Sequence, residues 1–169
     1  KEQIDVLANK DKEMKAYPLF LSQIERLKKD EPVEYIINDA EFLGRHLYVD
    51  KRVLIPRSET EELVADITER IGDYYDPRNY LVCADIGTGS GAIALALKDA
   101  FPNWLLLASD SSKDALDVAK INFTQAGVPV DTYLGDGLAP YIENKLNVDI
   151  IVSNPPYILD PKDAQDSVL

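Results

Sequence analysis

Two consecutive prolines stand between an asparagine and a tyrosine, directly after a strongly apolar stretch. This segment reads SNPPYI at residues 153–158 and follows the residues VDIIV. Proline lacks a backbone N–H group and has a fixed φ angle, so the loop is stiff and presents its carbonyl groups outward. We therefore predict that Asn154, Pro155, Pro156 and Tyr157 form a rigid site that holds another molecule in place.

A second candidate site is the glycine-rich stretch ADIGTGSGAIAL at residues 84–95. Glycines between a strand and a helix permit a tight turn and let a ligand approach the backbone, and the helix N-terminus offers free N–H groups. The spacing also satisfies the relaxed dinucleotide fingerprint, although a carboxylate before the glycines suits an amine-bearing ligand better than a pyrophosphate. We assign ligand binding here to six residues: Asp85, Gly87, Thr88, Gly89, Ser90 and Gly91.

Two further acidic residues follow predicted strands. Asp110 ends the stretch LLASD, about twenty residues after the glycines, where a carboxylate can accept both ribose hydroxyls of a nucleoside. NAD and S-adenosylmethionine sites share that geometry, so both cofactors stay open at this point. Asp136 and Gly137 follow the next predicted strand, where they could meet an adenine ring, although Asp-Gly is also a common turn.

The elements that must position these residues alternate between short apolar strands and helices. Helices are predicted near residues 91–100 and 112–126, the second ending at Gly127, and a short helix at most within 136–147. Strands that are apolar throughout and separated by helices indicate a parallel sheet covered on both faces. The predicted strands are residues 80–86, 104–109, 131–135 and 148–153.

The first half of the chain has a different pattern. Residues 18–29 have apolar side chains at helical spacing, whereas 34–50 have β-prone ends around a glycine and predict a hairpin. The pair Ser58 and Glu61 predicts a capping box that opens a helix ending near Ile71.

Composition limits the possible partners. The 30 acidic residues exceed the 18 Lys and Arg residues, for a formal net charge of −12. Because a nucleic-acid binder needs a positive surface, we do not expect direct binding of DNA or RNA. No apolar run is long enough for a membrane span and no signal-like leader is evident, so we expect a cytoplasmic protein without a membrane partner.

Few other side chains suggest chemistry. The only cysteine, Cys83, lies within a predicted strand and is expected in the core, and the only histidine, His46, is expected on the surface. No nucleophile pairs with this histidine, and we assign no metal ligands.

The glycine loop, Asp110 and the NPPY loop together resemble the class I S-adenosylmethionine-dependent methyltransferases that act on planar nitrogen. The segment EYIINDAEFLGRHLYVDKRVLIPRSETEELV, residues 34–64, narrows the resemblance to the HemK/PrmC family. This family methylates the glutamine side chain in the Gly-Gly-Gln motif of peptide-chain release factors. The resemblance extends from about Glu31 to Ile158, and one departure is Ser58, where the family usually has proline.

The resemblance implies a Rossmann-like α/β fold with S-adenosylmethionine as cofactor and release factors as protein partners. It assigns Asn154, Pro155, Pro156 and Tyr157 to the catalytic loop, with Asn154 also near the cofactor, and lets Thr60 and Glu61 face the cofactor.

It also implies three regions: the end of a helical substrate-recognition domain at 1–31, a β-hairpin linker at 32–57 and a methyltransferase domain at 58–169. Relative to the family, the chain is expected to be truncated at both ends, with a sheet incomplete on its C-terminal side.

Other functions stay open. A DNA adenine-N6 or RNA guanine-N2 methyltransferase also acts on planar nitrogen, although the acidic charge and the segment at 34–64 argue against it. A nucleotide-binding module without catalysis, or an NAD-dependent oxidoreductase, would leave the NPPY loop unexplained.

Overall fold

The computed structural model describes residues 17–76 and 78–155, and the chain divides into two compact units, residues 1–37 and 38–169. The described part of the first unit contains helices α1 (Tyr17–Leu27) and α2 (Val33–Ile37). Arg26 connects them, since its Nε donates to the Glu31 carboxylate at 2.7 Å and its guanidinium donates to the Tyr35 carbonyl at 3.0 Å.

Helix α1 agrees with the predicted helix at 18–29, but α2 corrects the prediction of a hairpin starting at residue 34. The N–H groups of Tyr35 and Ile36 both donate to the Pro32 carbonyl, at 3.1 and 3.2 Å. The fixed φ of proline suits the start of a helix, so Pro32 outweighs the β propensity of the residues that follow.

The second unit begins with the hairpin, which is shorter than predicted. Strands β1 (Ala40–Phe42) and β2 (Arg45–Leu47) are antiparallel, with Ala40 opposite Leu47. The turn residues Leu43 and Gly44 have φ angles of 48° and 75°, as a tight two-residue hairpin requires.

Helix α3 (Ser58–Tyr74) follows, but without the predicted capping box. Arg57 is the residue before the first turn, and no side chain caps it. Glu61 instead accepts the Leu43 N–H at 2.7 Å, so its carboxylate joins the helix to the hairpin turn. The inner face of α3 is buried at Val64 and Ile71.

The sheet contains four parallel strands in the described part of the chain, in the order β5-β4-β3-β6. They are connected by helices α4 (Ala92–Ala100), α5 (Lys113–Ala126) and α6 (Ala139–Glu143), and α5 ends at Gly127 with a φ of 66°, as predicted. The strand predictions are confirmed to within two residues at each end. The strands are β3 (Val82–Ile86), β4 (Leu105–Asp110), β5 (Asp131–Leu134) and β6 (Ile150–Ser153).

The larger core lies on one face of this sheet, against α3, α4 and α5. Cys83 is fully buried there, as predicted, and burial raises the pKa of its thiol to about 12. On the opposite face Tyr141 of α6 packs near Ala84 and Leu107. Among the described residues, no helix is both long and apolar enough to cross a bilayer.

Candidate active site

The predicted site residues meet at one edge of the sheet because its strands are parallel and nearly in register. Ile86 at the end of β3 lies opposite Ser109 of β4 and Ser153 of β6. The segments after the four strands therefore start side by side, as expected for ligand sites in open parallel sheets. The glycine loop follows β3, Asp136 follows β5 and Asn154 follows β6, while Asp110 is the last residue of β4.

Asp85 lies beneath the glycine loop, at the penultimate position of β3, and is completely buried. Its Oδ2 accepts the Thr88 hydroxyl at 2.7 Å and the Ala94 N–H at 3.2 Å, whereas Oδ1 has no partner among the described residues. Burial raises the pKa of this carboxyl to about 6, against the lowering effect of those two hydrogen bonds. A buried carboxylate with one unpaired oxygen favours a positive charge nearby.

The glycine loop is closed by its own hydrogen bonds. The N–H groups of Gly87 and Thr88 donate to the Ser109 carbonyl at 2.8 and 2.9 Å, and the Gly91 N–H donates to the Thr88 carbonyl at 2.8 Å. The Gly89 N–H donates to Oδ2 of Asp110 at 3.0 Å. These four donors of the loop are therefore used inside the protein, whereas the predicted free N–H groups belong to the helix that starts at Ala92.

The glycines are nevertheless needed for the shape of the loop. Gly87, Gly89 and Gly91 have φ angles of 73°, 55° and 83°, which other residues rarely adopt. A Cβ on Gly91 would lie 2.6 Å from the ring of Phe123 on α5. The loop thus packs tightly against α5 below and leaves open space above Gly87 and Gly89.

Asp110 joins the glycine loop to the following helix. Oδ2 accepts the Gly89 N–H and Oδ1 accepts the Ser112 N–H at 2.9 Å, while Ser112 caps α5 through the Ala115 N–H. Each carboxylate oxygen can accept a further hydrogen bond, so these contacts orient Asp110 without exhausting its acceptors. The predicted contact with ribose hydroxyls stays a prediction, which these hydrogen bonds do not oppose.

Asp136 and Gly137 follow β5 at the same edge. Asp136 is exposed, and its carbonyl accepts the Ala139 N–H at 3.1 Å at the start of α6. Gly137 has a φ of 51°. The two residues lie in the turn that leads from β5 to α6, as the turn alternative predicts, and their contact with an adenine ring stays a prediction.

Asn154 follows β6 and is held by Thr60 in the first turn of α3. Its Nδ2 donates to the Thr60 hydroxyl oxygen at 2.8 Å, and Thr60 is only 9% exposed. Pro155 is exposed next to it, whereas Pro156 and Tyr157 lie outside the described residues. Thr60 therefore contacts the predicted catalytic loop, while Glu61 is used by the hairpin.

One buried side chain near the site, Asn122 of α5, was missed by the sequence analysis. Its Oδ1 accepts the Tyr48 N–H at 2.7 Å, and its Nδ2 donates to the carbonyls of Tyr48 at 3.0 Å and Ser90 at 2.8 Å. It thus joins the segment after the hairpin to the glycine loop. A polar residue within the apolar face of a helix, beside Ala119 and Phe123, was the available signal.

The remaining predictions concern side chains outside this edge. His46 is exposed as predicted, and its hydrogen bond with Asp39 raises the pKa of the imidazole. Within residues 17–76 and 78–155, no group of three or more His, Cys, Asp or Glu residues could hold a metal ion.

Comparison with known proteins gives a consistent result. The family described as methyltransferase small domain matches residues 76–168. The release factor glutamine methyltransferase of Enterococcus faecalis is 42% identical over 137 residues, which cover 81% of this chain and 47% of that protein. The enzyme of the same name from Streptococcus pneumoniae is 47% identical over 135 residues, covering 79% of this chain and 45% of that protein. The chain spans about half the length of these curated relatives.

A solved structure supports the fold. The S-adenosylmethionine-dependent methyltransferase from Agrobacterium tumefaciens matches with a TM-score of 0.53 at 19% identity, over 70% of this chain and 39% of that one. At this identity the likeness concerns the fold alone, and it confirms the predicted class I methyltransferase sheet. The chain therefore belongs to the methyltransferase small domain family, and its predicted resemblance to the HemK/PrmC release factor glutamine methyltransferases is confirmed.

Proposed function

We propose that the protein containing this chain transfers a methyl group from S-adenosylmethionine to the glutamine side-chain nitrogen in the Gly-Gly-Gln motif of peptide-chain release factors. One observation carries the proposal. Asn154, oriented by Thr60, directly follows β6, and β6 pairs in register with the strand that ends at the glycine loop. The proposed amide-binding group and the proposed cofactor loop thus follow neighbouring strands, in a chain similar to enzymes named for this reaction.

The chemical difficulty is the weak nucleophilicity of an amide nitrogen, whose lone pair is delocalised into the carbonyl group. The protein can help by fixing the plane of the amide and by increasing electron density at nitrogen. In the proposed mechanism, Oδ1 of Asn154 and the carbonyl of Pro155 each accept one N–H of the substrate amide. Tyr157 flanks its plane, and Pro156 keeps the loop rigid. When bound, S-adenosylmethionine would supply the methyl group from its sulfonium sulfur, which leaves as a neutral thioether, and the amide nitrogen would release one proton to solvent.

The same edge of the sheet would hold the cofactor. The ribose hydroxyls would donate to Asp110, Asp136 and Gly137 would border the adenine, and the field of Asp85 would favour the positively charged end. The glycine loop, including Thr88 and Ser90, would contact the cofactor.

The hydrogen bonds of the glycine loop and the buried Asp85 favour S-adenosylmethionine over NAD as the cofactor. Four N–H groups of the loop already donate inside the protein, and a buried carboxylate lies below. A pyrophosphate would need those donors and would be repelled by that charge. A nucleotide-binding module without catalysis would not need a stiff amide-binding loop.

The protein would act in the cytoplasm, where release factors meet the ribosome. The regions proposed from the sequence remain: a recognition part at 1–31, a linker at 32–57 and the catalytic domain at 58–169.

The decisive experiment measures transfer of a radiolabelled methyl group from S-adenosylmethionine by the full-length protein. Purified release factor should be labelled, and a factor with the Gly-Gly-Gln glutamine changed to alanine should not. Duplex DNA in a parallel reaction tests the adenine-methyltransferase alternative. Equal labelling of both factor variants, or labelling of the DNA instead, would contradict the proposal.

A further inference from the structure

The contact between Thr60 and Asn154 joins two segments that are far apart in the sequence. Thr60 lies in the first turn of α3, where its N–H donates to the Arg57 carbonyl at 3.0 Å. The same turn is attached to the hairpin, because Glu61 accepts the Leu43 N–H at 2.7 Å. The hydroxyl of Thr60 therefore has a fixed position when it meets the loop after β6.

This contact holds the Asn154 side chain against the first turn of α3. The two ends of a primary amide have similar shapes but opposite hydrogen-bonding roles, one donating and the other accepting. Nδ2 of Asn154 donates to Oγ1 of Thr60 at 2.8 Å, so the acceptor Oδ1 occupies the other end. Without this anchor the side chain is free to rotate about χ1 and χ2, which moves the acceptor away from an approaching substrate N–H group.

We propose that Thr60 is a positioning residue that anchors the Asn154 side chain in the conformation in which it presents its oxygen to the substrate nitrogen. The proposal rests on the proposed function. Thr60 acts only through Asn154, so its loss should slow methyl transfer without weakening cofactor binding. A hydroxyl used for packing alone would instead change stability and both functions together.

The chain offers well-matched variants for the test. Thr60→Val keeps the volume and the branched Cβ but removes the hydroxyl, whereas Thr60→Ser keeps the hydroxyl. Thr68→Val is the control on the same helix, because the Thr68 hydroxyl donates only to the Val64 carbonyl one turn back, at 2.8 Å. Thr60→Ala replaces Thr60→Val if the latter fails to fold.

The measured quantities are kcat for release-factor methylation, the Kd for S-adenosylmethionine by calorimetry, and the melting temperature. Thr60→Val should lower kcat about tenfold to a hundredfold, the scale expected for a misoriented group at a reacting centre, with Kd changed less than about twofold. The kcat of Thr60→Ser should stay within about threefold of the wild-type value, and the kcat of Thr68→Val should equal the wild-type value. In an Asn154→Ala background, Thr60→Val should have no further effect.

A wild-type kcat in Thr60→Val would overturn the positioning role. So would a decrease in kcat on adding Thr60→Val to Asn154→Ala that is as large as the decrease in the wild-type background. An inactive wild-type protein would contradict the proposed function instead. The effect of Thr60 on the Asn154 side chain would then be measured by the NMR chemical shifts of the Asn154 side-chain amide. Unchanged chemical shifts in Thr60→Val would overturn the positioning role independently of activity.

Discussion

At the scale of single residues, a substitution at Asn154 distinguishes an effect on catalysis from an effect on cofactor binding. If its amide holds the target nitrogen as proposed, Asn154→Ala in the full-length protein should lower turnover by about 10²–10³, as for loss of one pre-positioned polar group. The affinity for S-adenosylmethionine should change much less, since the main contacts with the cofactor are assigned to other residues. Single-turnover methylation and calorimetry together check both statements, and near wild-type methylation would refute this role for the NPPY loop.

Asp85 should make cofactor binding depend on pH. Its pKa is raised from 3.8 to about 6 in the folded chain, chiefly by burial, so folding favours the protonated carboxyl. The stability contributed by this group is therefore fully present below about pH 4 and is lost as pH rises to about 6. A positively charged ligand favours the ionised form, so affinity should rise with pH across this range and binding should release protons.

Calorimetry between pH 5 and 7.5, in two buffers with different ionisation enthalpies, measures both the affinity and the protons released by the Asp85 carboxyl. Asp85→Asn cannot ionise and should show a flat affinity profile over the same range. An equal slope in wild type and Asp85→Asn would assign the titration to another group.

At the scale of secondary-structure elements, Asn122 joins three parts of the fold that surround the site. It satisfies two backbone groups of Tyr48 and one of Ser90 while only 2% exposed. Asn122→Ala should leave these groups unpaired in the interior and lower the free energy of unfolding by about 2–4 kcal/mol. Chemical denaturation measures this change.

The matched control for Asn122 is Gln125, which is exposed on the same helix. Gln125→Ala should change the free energy of unfolding by less than about 0.5 kcal/mol. If the two variants were equally stable, the hydrogen bonds of Asn122 would make no net contribution to the fold.

The elements also show how far local sequence determines structure here. The strands of the parallel sheet and the end of α5 at Gly127 were predictable because apolar runs and a left-handed cap are local signals. The capping box at Ser58 failed for a tertiary reason, since the Glu61 carboxylate binds the hairpin turn 18 residues earlier in the chain.

The site was predictable to a similar extent. The residue types and their spacing placed Asp85, Asp110 and Asn154 at one sheet edge, because parallel strands bring their carboxyl ends together. The Thr60 partner of Asn154 and the backbone contacts of Asn122 span 94 and up to 74 residues. No local pattern encodes pairs at such separations.

At the scale of the whole molecule, the net charge argues against a nucleic acid as a binding partner of this chain. The chain has a formal net charge of −12 and a pI near 4.4, whereas nonspecific DNA binding requires cations that displace counterions from phosphates. Affinity for the phosphate backbone depends on surface charge rather than on topology, so the fold does not compensate for this repulsion.

The chain should therefore bind a 20-base-pair duplex more weakly than about 10⁻⁴ M at physiological salt, below the usual range of nonspecific DNA binding. Fluorescence anisotropy with labelled duplex measures this affinity, and a basic DNA-binding protein in the same titration confirms that the signal responds. Lowering the salt concentration should raise the affinity for the duplex only slightly, since few protein cations replace counterions on the DNA. Micromolar binding that weakens steeply with added salt would reveal a concentrated basic surface and would favour the adenine-methyltransferase alternative over the release-factor substrate.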